Sequence, residues 1–216
     1  MIKKFLRPFA ILAAALAMMF GGTRVAAGAV IPVTSLDQKI SGIGGCSLQE
    51  AIYSANYDNN IAVKTYQGST PVWVTTQCVP GSGDDSIVLP AGAVFLMNSI
   101  VDDADNPTGP AATPIIFSKI TIWAYGSTFE RNSARTFRLF AVHPQGHLTI
   151  KKAYIRGFYA QGGHGGNGGG GGMGAGGAIY VMYGGLVVEA STFEGNWAIG
   201  GTGGAGSSGG GGGLGG

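Results

Sequence analysis

Apolar and polar positions alternate in short runs along the second half of the chain. In Leu148-Thr149-Ile150 the outer two side chains face one way and the middle one the other, the period-two signature of a strand. The run recurs as Ile120-Thr121-Ile122, 28 residues earlier, and as Leu186-Val187-Val188, 38 residues later. The 38-residue offset also carries Ile155 onto Phe193, Ala160 onto Ala198 and Gly162-Gly163 onto Gly200-Gly201. A second apolar run precedes each of the last two copies, Phe137 to Val142 and Ala178 to Tyr183. Repeated strands of this length, with no helical period, predict an all-β solenoid. Its coils would place Ile120/Ile122, Leu148/Ile150 and Leu186/Val188 in aligned interior columns. Each coil would add about 4.8 Å, the spacing between paired strands. Gly176 to Asn196 reads as the last complete coil.

Towards the N-terminus the pattern changes. Ile31 to Leu36 predicts a first strand. Leu48, Ala51, Ile52 and Ala55 then fall on one helical face. Ser47 and Glu50 precede and open that run with capping-box spacing, in which the serine oxygen accepts a backbone N–H and the glutamate reaches back. A short helix starting at Ser47 is therefore expected, covering the end of the solenoid, because an uncovered end exposes apolar surface and strand edges. The repeating part begins near Asp84, with short strands at Ile87 to Leu89 and Val94 to Met97 around the turn Pro90-Ala91-Gly92.

Composition alters this picture in three places. First, Lys3, Lys4 and Arg7 precede an apolar run from Phe9 to Phe20, and small residues follow, which predicts a cleaved secretory signal over residues 1–29. Ala27-Gly28-Ala29 offers a cut before Val30; Val25-Ala26-Ala27 offers a second one. Without residues 1–29 the chain keeps nine basic against eleven acidic residues. That balance gives no reason to expect nucleic acid as a partner, and no membrane span is expected in the mature chain. Second, an exported chain with only Cys46 and Cys78 predicts a disulfide. Closing that loop should contribute roughly 3–4 kcal/mol on the chain-entropy model. Third, 41 glycines gather mainly after Gly162 without a collagen period, and read as long loops extruded from one corner of successive coils. The expected organisation is a signal at 1–29, a cap with helix and disulfide at 30–83, coils at 84–199 and a glycine-rich loop or disordered tail at 200–216. Because the glycine pattern breaks off where another GGAIY is due, the sequence is expected to continue in a longer protein.

Candidate chemistry is sparse. Asp102, Asp103 and Asp105 form an oxygen-rich loop of the kind that can hold calcium, although their spacing matches no EF-hand. Arg131, Arg135, Arg138 and Arg156 have the residue type of a lyase base. Glu189 and Glu194 have that of a glycosidase carboxylate pair, but read first as solvated outer-face groups. His143 and His147 are separated by a turn, so the helical zinc pattern fails. No metal or cofactor is expected.

Cys46-Ser47-Leu48-Gln49-Glu50-Ala51-Ile52 resembles the CSLREA motif at the start of exported bacterial right-handed parallel β-helix proteins, with Gln49 in place of arginine. Gly176-Gly177-Ala178-Ile179 with Phe193-Glu194-Gly195-Asn196 is similar to the GGAI and FxxN motifs of polymorphic outer-membrane protein repeats. Phe129 to Asn132 gives FxxN a second time, whereas the middle copy has Ile155 and Phe158 instead. The resemblance implies a right-handed, pectate-lyase-like parallel β-helix in a secreted or outer-membrane protein of a bacterium. It implies adhesin- or passenger-type work on glycans or surface proteins, with a carbohydrate-active enzyme lacking part of its site as the alternative. Phe129 and Phe193 are expected inside the tube, and Asn132 and Asn196 at its turns, where stacked amides can bond. All eight residues singled out (Cys46, Cys78, Ser47, Glu50, Phe129, Asn132, Phe193 and Asn196) are structural; none is assigned to catalysis.

Overall fold

A computed structural model describes residues 28–101 and 106–206. In chain order, β1 (Val30–Pro32) leads to helix α1 (Leu48–Asn56), then to β2 (Ile61–Gln67) and β3 (Thr70–Thr75). Next come β4 (Asp85–Val88), β5 (Val94–Met97), β6 (Lys119–Trp123) and β7 (Thr128–Arg131). They are followed by β8 (Phe140–Val142), β9 (His147–Lys151), β10 (Tyr154–Arg156) and β11 (Tyr159–Gln161). The last four are β12 (Ile179–Val181), β13 (Gly185–Glu189), β14 (Thr192–Glu194) and β15 (Trp197–Ile199).

The chain is mainly β and its strands form several parallel sheets. The largest runs β1-β4-β6-β9-β13, so each successive stretch of chain adds one strand. A second sheet runs β5-β7-β10-β14, and the pairs β8-β12 and β11-β15 are also parallel. The registers match the sequence offsets: Ile120 pairs with Leu148 and Leu148 with Leu186, Ile155 with Phe193, and Ala160 with Ala198. Alternation explains the burial. Ile120, Ile122, Leu148 and Ile150 are buried, while Thr121 and Thr149 between them are not. The turn from the first sheet to the second places Lys152 and Ala190, 38 residues apart, at φ 56° and 46°, the left-handed region that reverses a chain tightly.

The N-terminal end differs from expectation in two ways. The first strand is shorter than Ile31 to Leu36, and β2 and β3 form an antiparallel hairpin not read from the sequence. That hairpin packs Ala62 and Val63 on Tyr53, so α1 is buried on every side rather than on one face. Its polar residues bond inwards. Gln49 Nε2 donates to the Ala112 carbonyl at 3.1 Å and Asn56 Nδ2 to that of Ile115 at 2.7 Å; Asn56 Oδ1 accepts the Phe117 N–H at 3.1 Å. The Cys46–Cys78 disulfide ties the start of α1 to the chain beyond β3.

The two glycine tracts lie in loops that pack against each other. Residues 200–206, expected within a glycine-rich loop or disordered tail, run beside residues 162–172. Gly165 N–H donates to Thr202 O at 2.8 Å, Gly201 N–H to Gly172 O at 2.8 Å and Gly204 N–H to Gly169 O at 2.9 Å. A Cβ on Gly201 would lie 1.8 Å from the Gly163 carbonyl oxygen, so backbones meet here at a distance only glycine permits. The expected signal (all but Gly28 and Ala29), the aspartates at 102, 103 and 105, and residues 207–216 lie outside the described residues.

Candidate functional site

The FxxN positions are framework. Phe129 is buried 5.5 Å from Phe95 and 5.8 Å from Phe140 between ring centroids. Asn132 Nδ2, just beyond β7, donates to Asn98 Oδ1, just beyond the paired β5, at 2.8 Å. Asn196 instead satisfies backbone: its Oδ1 accepts the Phe158 N–H at 3.0 Å and its Nδ2 donates to Ile155 O at 2.9 Å. Phe193 stacks over Ile155 in register but remains 42% exposed. Ser47 and Glu50 form the capping box, and Glu50 also takes Lys39 as an ion-pair partner at 2.8 Å.

The chemical candidates are dispersed. Arg156 pairs with Glu130 at 2.6 Å, and Lys151 with Glu189 at 2.9 Å. Arg131 donates from Nε to the Gly157 carbonyl at 2.6 Å and also bonds the carbonyls of Ser133 and Arg135. Glu189 and Glu194 sit on different sheets, β13 and β14. Among the described residues no three His, Cys, Asp or Glu side chains gather as a metal site would require.

Arg138 is different. It stands between Phe137 and Leu139, whose side chains enter the core, so alternation turns it to the other side of the backbone. Its main chain is fixed on the neighbouring segment, with its N–H on Pro110 O at 3.1 Å and its carbonyl accepting from Ala112 N–H at 2.8 Å. Yet the residue is only 7% exposed, because Thr108, Ala175 and Tyr180 close over it. The guanidinium donates to the Thr108 carbonyl, to Thr108 Oγ1 at 3.1 Å and to Ala175 O at 3.2 Å, and lies 5.1 Å from the centre of the Tyr180 ring. Its Nε–H has no partner, and no carboxylate pairs with it among the described residues. Burial pulls its pKa below the ordinary arginine value while the interaction with Tyr180 opposes; a guanidinium nonetheless stays charged at neutral pH.

Arg138 lies on the wall of a cleft of about 640 Å³, bounded by Pro107 to Pro110 on one side and by the glycine tract near Gly162 and Gly174 on the other. Gln161, Tyr180 and Tyr183 add polar and aromatic surface; Tyr183 is 93% exposed. A cavity of this volume suits a small ligand or a short oligomer segment. A fixed, nearly buried cation beside flat aromatic surface offers a positive potential to oxygen-rich molecules; its terminal nitrogens already bond Thr108 and Ala175, and it contributes no acid–base pair. Arg138 was visible in the sequence only as one of four arginines. The cleft was not, since its walls come from five separated stretches of chain, two of which include parts of the glycine tract without side-chain pattern.

No protein-family model matches the chain. No curated protein matches it, and no solved structure does.

Proposed function

We propose that this chain is an exported, non-enzymatic module of adhesin or passenger type, secreted by or displayed on a bacterial outer membrane, that holds glycans or surface proteins. We further read its parallel sheets as the faces of a right-handed, pectate-lyase-like β-helix of the CSLREA type with polymorphic outer-membrane protein-like repeats. The successive parallel registers at the sequence offsets support that architecture. The disulfide is in keeping with an oxidising compartment. Among the described residues no helix is long and apolar enough to cross a membrane.

The observation that carries the binding role is the buried, carboxylate-free Arg138 facing a cleft beside Tyr180 and Tyr183. A glycan presents what such a wall recognises, namely hydroxyl and carboxylate oxygens for the guanidinium and a C–H face for a tyrosine ring. The test is binding of the whole exported chain to an array of neutral and acidic glycans and to bacterial surface proteins. Retention is expected, and Arg138→Gln should weaken it at least about tenfold, since hydrogen bonds to charged groups contribute ~1.5–3 kcal/mol. No retained ligand, or equal binding by the variant, overturns the reading. So does unsaturated, ultraviolet-absorbing product from polyuronates with or without calcium, which would make the protein a lyase.

A further inference from the structure

Asp85 opens β4 and is 1% exposed. Its Oδ1 accepts two backbone N–H groups, from Ala29 at 2.7 Å and from Ser82 at 2.9 Å. Its Oδ2 is buried and accepts nothing among the described residues. Gly81 faces that oxygen closely enough that a Cβ there would lie 2.7 Å from it. The surrounding charges are mainly of the same sign: Asp58 and Asp84 both act on Asp85, and Lys119 is bound to Asp84 at the surface. A half-satisfied carboxylate in such a place calls for a cation.

The chain's own entry point lies against it. The Val30–Ser86 register continues backwards, with the Ala29 carbonyl accepting from Ser86 N–H at 2.8 Å. Gly28 is seated so tightly that a Cβ on it would come within 1.5 Å of the Asp84 carbonyl oxygen. A cut before Val30 would strip the Ala29 N–H from Asp85 and the Ala29 carbonyl from Ser86. A cut after Ala27, with Val25 and Ala27 as the small residues before the bond, keeps both contacts and creates a charged terminus one residue from Asp85.

We propose that export cuts the chain between Ala27 and Gly28, and that the new α-ammonium of Gly28 pairs with the buried Asp85 carboxylate. This rests on the export reading above but not on the ligand cleft. The cut is an ordinary hydrolysis by a signal peptidase. Water adds to the Ala27 carbonyl, the C–N bond breaks, Ala27 leaves as a carboxylate on the signal, and the Gly28 nitrogen takes a proton. In the uncut chain burial pushes the Asp85 carboxyl up; the Ser82 and Ala29 N–H groups oppose this, and Asp58 and Asp84 add to it. An adjacent ammonium reverses that balance, so processing would lock the N-terminal strand onto β4.

The experiment is expression of the full precursor in an exporting bacterial host, followed by intact-mass measurement of the purified product. A start at Gly28 is expected; a start at Val30 or elsewhere, or an unprocessed chain, overturns the proposal. An unprocessed chain would also sink the export reading, whereas a different start would leave it standing. The second measurement follows the Asp85 carboxyl by NMR across pH before and after selective acetylation of the α-amine. Acetylation should raise the Asp85 titration by about one pH unit or more, the scale expected for losing a nearby opposite charge. In the unacetylated protein the α-ammonium should titrate above its usual ~7.7–8.0. Asp85→Asn should return it to that range. Identical Asp85 titration with and without acetylation overturns the pairing, even if the Asp85 variant does not fold.

Discussion

At the scale of single residues, Glu50 shows how much one side chain can hold. It is fully buried, accepts N–H groups from Ser41 at 2.8 Å, Gly42 at 2.9 Å and Ser47 at 3.1 Å, and pairs with Lys39 at 2.8 Å. It therefore closes the first turn of α1 and fastens the preceding loop to it, with its charge at the favourable end of the helix dipole. Burial alone would push its carboxyl up; the Lys39 ammonium and the Gly42, Ser41 and Ser47 N–H groups overcome that and hold it below its ordinary value of 4.5. The sign follows from linkage. A carboxylate depressed in the folded state contributes stability that is complete above the unfolded pKa and is lost as pH falls through the folded one. Urea unfolding from neutral pH downwards should show a loss beginning near pH 4.5 that Glu50→Gln reduces; parallel profiles for the two proteins would contradict this. At neutral pH Glu50→Ala should cost about 3–5 kcal/mol, as for one partner removed from a buried ion pair.

At the scale of elements, the same column position has two fates. Phe129 on β7 has β5 on one side and β10 on the other and is 0% exposed; Phe193 on β14 has β10 alone and is 42% exposed. Leu186, Val188, Trp197 and Ile199 on β13 and β15 are exposed for the same reason, since no further strand covers that edge among the described residues. Phe129→Ala should therefore cost about 3–5 kcal/mol, and Phe193→Ala about 1 kcal/mol or less. Equal losses in chemical unfolding would show that Phe193 is covered in solution. Strand pairing was legible in the sequence because a period of two fixes which residues can share a column, so Leu148 and Leu186 could be matched before any coordinates. The β2–β3 hairpin was not, since Lys64-Thr65-Tyr66 breaks the alternation and a register shift falls between Val63 and Thr65. Nor was the burial of Gln49 and Asn56, whose partners are carbonyls and N–H groups about 60 residues away. The contact between the glycine tracts was not legible for a related reason: packing of bare backbones leaves no side-chain pattern to find.

At the scale of the molecule, these features make the two ends unequal. One end has α1, the hairpin, the Glu50 network and the disulfide; the other has β13, β14 and β15, each paired along one edge among the described residues. Stacked repeats take their stability from interfaces between neighbours, so a stretch with one interface opens at lower cost than a stretch with two. Amide exchange should accordingly be slowest in β6 and β9, which have neighbours on both sides, and fastest in β13 to β15. The Cys46–Cys78 bridge acts on the global step. Replacing both cysteines by serine should remove roughly 3–4 kcal/mol, the chain-entropy value for a loop of this size, because the unfolded chain then regains its freedom. It should do so without protecting the far end. The exchange order of β13 to β15 relative to β9 should persist in the cysteine-free protein, because their rates report local opening rather than global unfolding. Uniform protection from β4 to β13, or a cysteine replacement that changes β13 and β6 equally, would show instead that the sheets unfold as one cooperative block.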